Sequence, residues 1–356
     1  MPAPLNAASL AAAPKVLLHD HLDGGLRPRT ILELADEAGY RELPTADPDE
    51  LGRWFRASAD SGSLDRYLLT FAHTVAVMQR PEAVQRVARE CALDLAADGV
   101  VYAEVRMAPE LLTAMPLDTA VEAMLDGYAQ GSREAAAAGR PIVVGTLLCA
   151  MRQTDRWVEV AEAVVRHRDA GVVGFDLAGP EDGFPPDRIP EAIAVLDRAG
   201  AHRTVHAGEA AGIPSIRAAL DGARAERFGH GVRIADEVGG DGGLGAVAQR
   251  VLDEQVPLEI APSSNVQTGA YPSLAAHPVD RLHRIGFAVT VNTDNRLMSG
   301  VSATSELADV AATFHWGWND VQTVTERALA GAFVDADVRA RLLADVVRPG
   351  YAALRN

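Results

Sequence analysis

The sequence predicts an α/β fold, a (β/α)8 TIM barrel with extra helices inserted after the first strand. Eight short runs rich in β-branched and apolar residues recur along the chain, and amphipathic segments of helical length separate them. Eight strand–helix units in 356 residues favour a closed parallel barrel over an open doubly wound sheet. Because no repeat or long linker divides the units, we expect residues 1–356 to form one barrel domain.

Each predicted strand is a short apolar run, and several of these runs stop at a polar residue. The eight predicted strands occupy residues 15–18, 100–106, 142–149, 172–177, 204–206, 227–229, 258–261 and 288–292.

Capping residues and prolines predict where three of the intervening helices begin, and glycines predict where they end. These pairs of start and stop residues are Pro81 and Gly99, Asp118 and Gly139, and Asp155 and Gly171. The stretch 236–243, rich in glycine and acidic residues, is predicted to be a loop.

The extra helices lie between the first two strands, within residues 29–98. Apolar and aromatic side chains in this insertion would either line a lid over the barrel mouth or pack the insertion's own small core. They are Trp54, Phe55, Leu64, Tyr67, Leu68 and Phe71.

Composition excludes several classes of protein. With 33 basic and 49 acidic side chains, the net charge is −16, which argues against nucleic acid or an anionic membrane as a partner. The only two cysteines, Cys91 and Cys149, are far apart, so a disulfide framework and a Cys-x-x-Cys zinc site are excluded. No charged leader or long apolar run is visible, and we expect a soluble, cytoplasmic protein.

Histidine and carboxylate side chains cluster at the ends of predicted strands. His19 and His21 are two residues apart at the end of the first strand, so both point to the same face. An isolated His-x-His pair is usually only part of an exposed strand edge. Here, however, other strands end in a similar way, where parallel barrels place catalytic residues. These later residues are His206 and Glu209 after the fifth strand, His230 after the sixth, and Asp294 and Asn295 after the eighth.

Three histidines and one aspartate suit zinc or a similar divalent ion, which lowers the pKa of a bound water towards about 7. Glu209 is placed to act as a proton donor. Lys15 is the only lysine, and the later strands lack the lysine that bridges two metals in barrel hydrolases, so one metal ion per chain is predicted. The other six histidines receive no role, because no polar cluster surrounds them in the sequence; they are His73, His167, His202, His277, His283 and His315.

Seven motifs in order along the barrel resemble those of the adenosine deaminase family. They are His-Asp-His-Leu-Asp-Gly at 19–24, Tyr-Ala-Glu-Val-Arg at 102–106, Asp-Leu-Ala-Gly at 176–179, His-Ala-Gly-Glu at 206–209, Gly-His-Gly at 229–231, Pro-Ser-Ser-Asn at 262–265 and Asn-Thr-Asp at 292–294. The resemblance implies zinc-dependent hydrolytic deamination of adenosine and 2′-deoxyadenosine.

The resemblance also assigns roles to the residues. It implies zinc ligation by His19, His21, His206 and Asp294, and catalysis by Glu209 as the acid that protonates purine N1, by His230 and by Asp294. His230 would orient the attacking water and either take up its proton or stabilise its charge. The implied substrate contacts are His21, Asp23 on a ribose hydroxyl, Gly179 on N3 and Asn295 on N7.

The sequence departs from the family at Asn295, where relatives usually carry a second aspartate. An amide still donates a hydrogen bond to N7, so purine binding is retained while the preference at the imidazole edge changes. Asp23 favours a nucleoside over free adenine, since adenine deaminases that resemble this family tend to carry glutamate there.

Other substrates stay open at this stage. A nucleotide would need a cationic pocket, and Arg27, Arg29 and Arg106 are more simply interpreted as structural. The alternatives are a 5′-modified adenine nucleoside such as aminodeoxyfutalosine, free adenine, a non-purine cyclic amidine, and a barrel that binds ligand without catalysis. We expect a small purine nucleoside as the partner, and a monomer or a weak dimer.

Overall fold

The computed structural model describes residues 4–240 and 242–355 and confirms all eight predicted strands. β1 extends to the end of the His-x-His pair, so that both histidines belong to the strand. The strands are β1 (Lys15–His21), β2 (Val100–Met107), β3 (Val143–Met151), β4 (Val172–Ala178), β5 (Thr204–Ala207), β6 (Arg227–His230), β7 (Leu258–Ile260) and β8 (Val289–Val291).

The strands form two parallel four-stranded sheets, β1 to β4 and β5 to β8. Single parallel bridges join the two sheets: Phe175 pairs with Arg203, and Asp20 pairs with Asp294. At the second junction, Asp294 N–H donates to His19 O (2.9 Å) and His21 N–H donates to Asp294 O (2.9 Å). Each sheet therefore supplies half of a closed barrel, as predicted.

Eighteen α-helices lie in the described residues. Those before β5 are α1 (Ala7–Ala12), α2 (Pro28–Ala38), α3 (Pro48–Ala59), α4 (Leu64–Leu68), α5 (Phe71–Val77), α6 (Pro81–Ala97), α7 (Leu117–Ala137), α8 (Trp157–Arg166) and α9 (Pro190–Ala199). Those after β5 are α10 (Ile213–Asp221), α11 (Ala246–Asp253), α12 (Pro262–Gln267), α13 (Val279–Ile285), α14 (Arg296–Ser299), α15 (Ala303–Phe314), α16 (Trp318–Gly331), α17 (Ala336–Arg341) and α18 (Arg348–Arg355).

Short 3-10 helices and one π-helical segment complete the described secondary structure. The 3-10 helices are Pro109–Leu111, Arg168–Ala170, Pro186–Arg188, Val232–Glu237 and Leu274–Ala276, and the π-helical segment is Leu342–Val347. No helix in these described ranges is both long and apolar enough to cross a lipid bilayer.

The predicted helix ends are largely confirmed, with one wrong cap. Pro81 opens α6, and Gly99 follows its end in the left-handed conformation. Asp118 does not cap α7, which begins at Leu117 after Pro116. Its carboxylate instead accepts hydrogen bonds from Arg166 and His167 of the next helical unit, contacts that local spacing does not reveal.

The other predicted boundaries shift by a few residues. Gly139 follows α7 in the left-handed conformation, as expected. α8 begins at Trp157, two residues after Asp155, and a 3-10 turn separates its end from Gly171. In the predicted loop 236–243, Val238 forms an isolated bridge with Leu244, and Asp241 lies outside the described residues.

Helices α2 to α6 occupy the insertion between β1 and β2. Its apolar and aromatic residues divide into two groups. Trp54 and Phe55 pack against His73 within the insertion. The remaining four, Leu64, Tyr67, Leu68 and Phe71, line a cavity at the carboxyl ends of the strands.

The barrel interior contains a chain of buried charges instead of a purely apolar core. Arg227 Nε donates to Glu259 (2.7 Å), and its Nη2 donates to Glu104. Glu104 also accepts from Tyr102 and from the Phe333 backbone. Removing one partner of such a pair leaves a buried charge uncompensated, which is costly.

We therefore expect Glu104→Gln to lower the free energy of unfolding by about 3 kcal/mol, because Arg227 loses one of its two charged partners inside the barrel. Glu254→Gln, which removes an exposed pairing with Arg250, is the matched control and should cost less than about 1 kcal/mol. Urea unfolding followed by circular dichroism measures both. Equal losses of unfolding free energy in the two variants would show that the buried ion pair stabilises the protein no more than the exposed one.

Candidate active site

Four side chains from three strands converge at the carboxyl end of the barrel. They are His19 and His21 of β1, His206 of β5 and Asp294 just after β8, and their candidate ligand atoms all lie within 4.8 Å of one another. His21 Nε2 lies 3.3 Å from His206 Nε2, and both His19 Nε2 and His21 Nε2 lie 3.3 Å from Asp294 Oδ1. The structure thus brings the four predicted metal ligands together.

Buried carboxylates orient two of these rings. His19 Nδ1 lies 3.0 Å from Glu259 Oε2, and His206 Nδ1 lies 3.0 Å from Asp176 Oδ2. A carboxylate accepts the Nδ1 proton, so each Nε2 lone pair points into the cluster. His19 Nε2 is buried and faces Asp294 Oδ1, which is an acceptor like itself, so it has no hydrogen-bond partner. The cluster therefore combines an unpartnered histidine nitrogen, convergent lone pairs and a carboxylate oxygen. These groups fit a divalent cation such as zinc.

Arg106 connects the two orienting carboxylates. It is fully buried, and it contacts Asp176 Oδ2 at 3.1 Å and Glu259 Oε2 at 2.7 Å. Burial opposes ionisation of both acids, but Arg106 helps to hold their pKa values well below the usual range, together with His206 for Asp176 and Arg227 for Glu259. Both carboxylates therefore stay charged and keep accepting from the histidines.

Asp294 and His230 adopt left-handed backbone conformations, with φ of 55° and 65°. Such angles are uncommon for residues with a Cβ atom, and they cluster at functional sites. Ser264 Oγ donates to Asp294 Oδ2 at 2.6 Å. Burial opposes ionisation of Asp294, but its contacts with His19 and His21 hold its pKa well below the ordinary value.

Glu209 lies beside this cluster and is buried. Burial raises the pKa of its carboxyl group, which favours the protonated acid. Thr268 Oγ1 donates to Oε1 at 2.9 Å, and His230 Nε2 lies 3.4 Å from Oε2. Glu181 shapes the loop that carries Glu209, since its carboxylate accepts the backbone N–H groups of residues 208–211.

The cluster opens into a cavity of about 780 Å³, within the range of ligand sites. Its walls include every remaining predicted site residue: Asp23, Gly179, Glu209, His230 and Asn295. Burial raises the pKa of Asp23 to about 7. One side-chain oxygen of Asp23 and one of Asn295 are buried without a partner, as expected of groups reserved for a ligand.

Two glycines of the predicted motifs are required by close packing. A Cβ atom on Gly24 would lie 1.9 Å from Asn295 Oδ1. On Gly229 it would approach the rings of His19 and His206 to 3.0 Å. Any side chain at these positions would displace a site residue.

The prediction that the six remaining histidines lack polar surroundings is wrong for most of them. His73, His167, His202 and His283 bond to Tyr40, Asp118, Glu226 and Asp320, respectively. These partners come from distant parts of the chain, which explains why spacing did not show them. His277 alone of the six reaches the site, through Asn265.

The basic residues considered for a phosphate pocket are all paired with acids. Arg27 binds Asp94, Arg29 approaches Glu33, and Arg106 lies among the buried carboxylates. Lys15 Nζ is buried at the opposite end of β1, where it donates to the backbone of Leu10 and Ala13.

Sequence reasoning missed the residues that support the site. Some lie inside motifs that were recognised only as landmarks, and others are single acids in apolar strands or loops, such as Glu259 between Leu258 and Ile260. The missed residues are Asp176, Glu181, Glu259, Ser264, Asn265 and Thr268.

A closed parallel barrel with a histidine–aspartate cluster and a buried acid at its carboxyl end defines a metal-dependent amidohydrolase. The family model described as adenosine deaminase matches residues 14–349. The chain belongs to the adenosine deaminase family.

Named relatives and solved structures agree with this membership. The chain is 53% identical over 360 residues to an adenosine deaminase of Mycobacteroides abscessus, with 99% of both chains covered. It is also 53% identical to adenosine deaminase 1 of Streptomyces coelicolor, covering 97% of this chain and 88% of the relative. The crystal structure of an adenine deaminase from Arthrobacter aurescens superposes with a TM-score of 0.82, at 27% identity and with 96% and 98% of the two chains covered.

We expect Asp176→Asn to weaken the affinity for a divalent metal ion such as zinc by roughly 10–100-fold, because the amide replaces the charged acceptor that orients His206. Chelator competition, with metal content measured for the purified protein, tests this effect. Asp253→Asn, at an exposed acid on α11, is the control and should leave affinity unchanged. Unchanged metal affinity in Asp176→Asn would show that the contact between Asp176 and His206 does not support metal binding.

Proposed function

We propose that this protein hydrolyses adenosine and 2′-deoxyadenosine to inosine and 2′-deoxyinosine, with release of ammonia, using one zinc ion per chain. The observation that carries the proposal is the convergence of three histidines, one aspartate and a buried glutamic acid at the wall of one cavity. The relatives that are about half identical over their full length are adenosine deaminases, which supports adenosine as the substrate.

His19, His21, His206 and Asp294 would hold the zinc ion. When bound, zinc would lower the pKa of a water so that hydroxide is available at neutral pH as the nucleophile for purine C6. Asp294, kept ionised by its surroundings, accepts a hydrogen bond from that water and so orients it. Ser264 and the backbone bridge to Asp20 keep Asp294 in place.

Glu209 is the general acid of the proposed reaction. Its burial raises the pKa of the carboxyl group and so favours the protonated form, which donates a proton to purine N1 as C6 becomes tetrahedral. Thr268 already donates to Oε1, which leaves Oε2, on the side of His230, to carry the proton. His230 would orient the attacking oxygen and either take up its proton or stabilise its charge.

The substrate contacts follow the cavity wall. The backbone of Gly179 meets purine N3, Asp23 binds a ribose hydroxyl, and the Asn295 amide donates to N7. His21 adds its ring to the wall beside the purine. The unpartnered oxygen of Asp23 is consistent with a group that completes its hydrogen bonds only when a ligand binds.

A nucleoside is favoured over a nucleotide, because no arginine or lysine occurs among the described residues that line the cavity. The relatives do not favour the two alternative substrates, a 5′-modified nucleoside such as aminodeoxyfutalosine and free adenine. We further propose that residues 1–356 form a single barrel domain, with residues 29–98 as a lid. The protein would be cytoplasmic, would act as a monomer or weak dimer, and would bind neither nucleic acid nor membrane.

Ammonia release from adenosine, with adenine, AMP and a 5′-extended adenine nucleoside in parallel, tests the proposal directly. We expect fast release from adenosine, and Glu209→Gln should lower kcat by about 100-fold or more, since it cannot donate an acidic proton. Fast release only from the extended nucleoside would contradict the proposed substrate. A wild type no faster than Glu209→Gln would exclude catalysis by this site.

Asn295→Asp tests the imidazole-edge contact. The amide donates to N7 at every pH, whereas a carboxyl group donates only in its protonated form, so the variant loses this hydrogen bond at a pH where its carboxyl group is ionised. We expect the ratio of kcat/KM for adenosine to that for 7-deazaadenosine to fall on the order of tenfold. Asn319→Asp, at an exposed position, is the control. An unchanged ranking of the two substrates would remove Asn295 from purine recognition.

A further inference from the structure

Behind His230 lies a chain of hydrogen bonds that the proposed chemistry does not use. His230 Nδ1 is 3.0 Å from the Asn265 side-chain amide, and the other end of that amide is 3.3 Å from His277 Nε2. Asn265 is fully buried in α12, and His277 is buried just before α13. Neither residue lines the cavity, so neither touches a substrate.

The backbone N–H of Val279 fixes which groups donate and which accept along this chain of hydrogen bonds. The backbone N–H of Val279 donates to His277 Nδ1 at 3.1 Å, so this nitrogen must be an acceptor. Burial lowers the pKa of His277 to about 3, which keeps its ring neutral, and its single proton must therefore lie on Nε2. His277 Nε2 is thus a donor towards Asn265.

A donor at His277 requires an acceptor on Asn265. The amide oxygen therefore faces His277, and the amide nitrogen faces His230 and donates to its Nδ1. The opposite orientation would place two N–H groups against each other inside the core. A neutral His230 then carries its proton on Nε2, the nitrogen that lies 3.4 Å from Glu209 Oε2.

We propose that Asn265 and His277 are positioning residues that fix His230 as the Nε2–H tautomer, so that His230 meets the attacking oxygen as a hydrogen-bond donor and not as a base. This inference rests on the proposed function and chooses between the two roles expected for His230. A donor stabilises and orients the negatively charged oxygen of hydroxide before it attacks, whereas the other tautomer would present a lone pair to it.

Nitrogen-15 NMR of histidine-labelled, zinc-loaded protein tests the tautomer without any assay of activity. The His230 resonances are assigned by their absence in His230→Gln. We expect a protonated-type shift at Nε2 and an unprotonated-type shift at Nδ1. An unprotonated-type shift at Nε2 in the wild type overturns the proposal.

Asn265→Asp is an isosteric change that reverses one bond of the chain. The carboxylate still accepts from His277 but cannot donate to His230, so Nδ1 of His230 should gain a proton and its shift should become protonated-type. Unchanged His230 shifts in this variant would show that residue 265 does not determine the tautomer.

His277 is tested by a pair of variants. His277→Phe removes the donor, and we expect kcat to fall roughly 10–100-fold while KM changes less than about threefold. His277→Gln can accept from Val279 and donate to Asn265, so it should restore both kcat and the His230 shifts. His283→Gln, a comparable buried histidine away from the site, is the control and should leave both unchanged.

The experiments distinguish failure of the proposed deaminase function from failure of the positioning role. The expected shifts in a protein that does not deaminate adenosine would overturn the proposed function and leave the tautomer assignment standing. Deamination of adenosine with equal kcat loss in His277→Phe and His277→Gln, and unmoved shifts, would overturn the positioning role alone.

Discussion

The seam between β1 and β8 is the constraint on which the site depends. Two four-stranded sheets meet there through one bridge, Asp20 to Asp294, and the backbone of Asp294 bonds to His19 and His21 on both sides. Asp20 also holds Arg296 Nε at 2.7 Å and Thr293 Oγ1 at 2.9 Å, which clamps the chain just after β8. Two predicted metal ligands belong to the first sheet and two to the second half of the barrel, so closing the barrel and assembling the cluster are the same event.

Below the seam, charge takes the place of apolar packing in the centre of the barrel. Arg106 connects Asp176 with Glu259, and these two acids orient His206 and His19 from opposite halves. A buried ionic chain is costly unless every member is paired, and here each member has a partner. The chain transfers the rigidity of the strands to the imidazole rings, and a metal site needs this rigidity for its geometry.

Above the seam, the cavity combines an apolar wall with a few polar groups. Leu64, Tyr67, Leu68 and Phe71 from the insertion face the polar groups at the strand ends. The resulting burial raises the pKa of Glu209, while ionic contacts keep Asp294 charged. The pKa values of these two carboxyl groups are thereby shifted in opposite directions, which suits a reaction that needs both an acid and an activated water.

The sequence by itself determined the barrel, its eight strands and the residues at the strand ends, because apolar runs and short motifs depend only on neighbouring residues. His19, His21, His206, Glu209, His230 and Asp294 were all visible in this way. Only the tertiary structure decided what supports them. Asp118 does not cap its helix but accepts a hydrogen bond from Arg166. Glu259 contacts His19, 240 residues away in the sequence, and Asn265 connects His277 to His230. Such contacts join residues that are far apart in the chain, and their hydrogen bonds exist only once the barrel has closed.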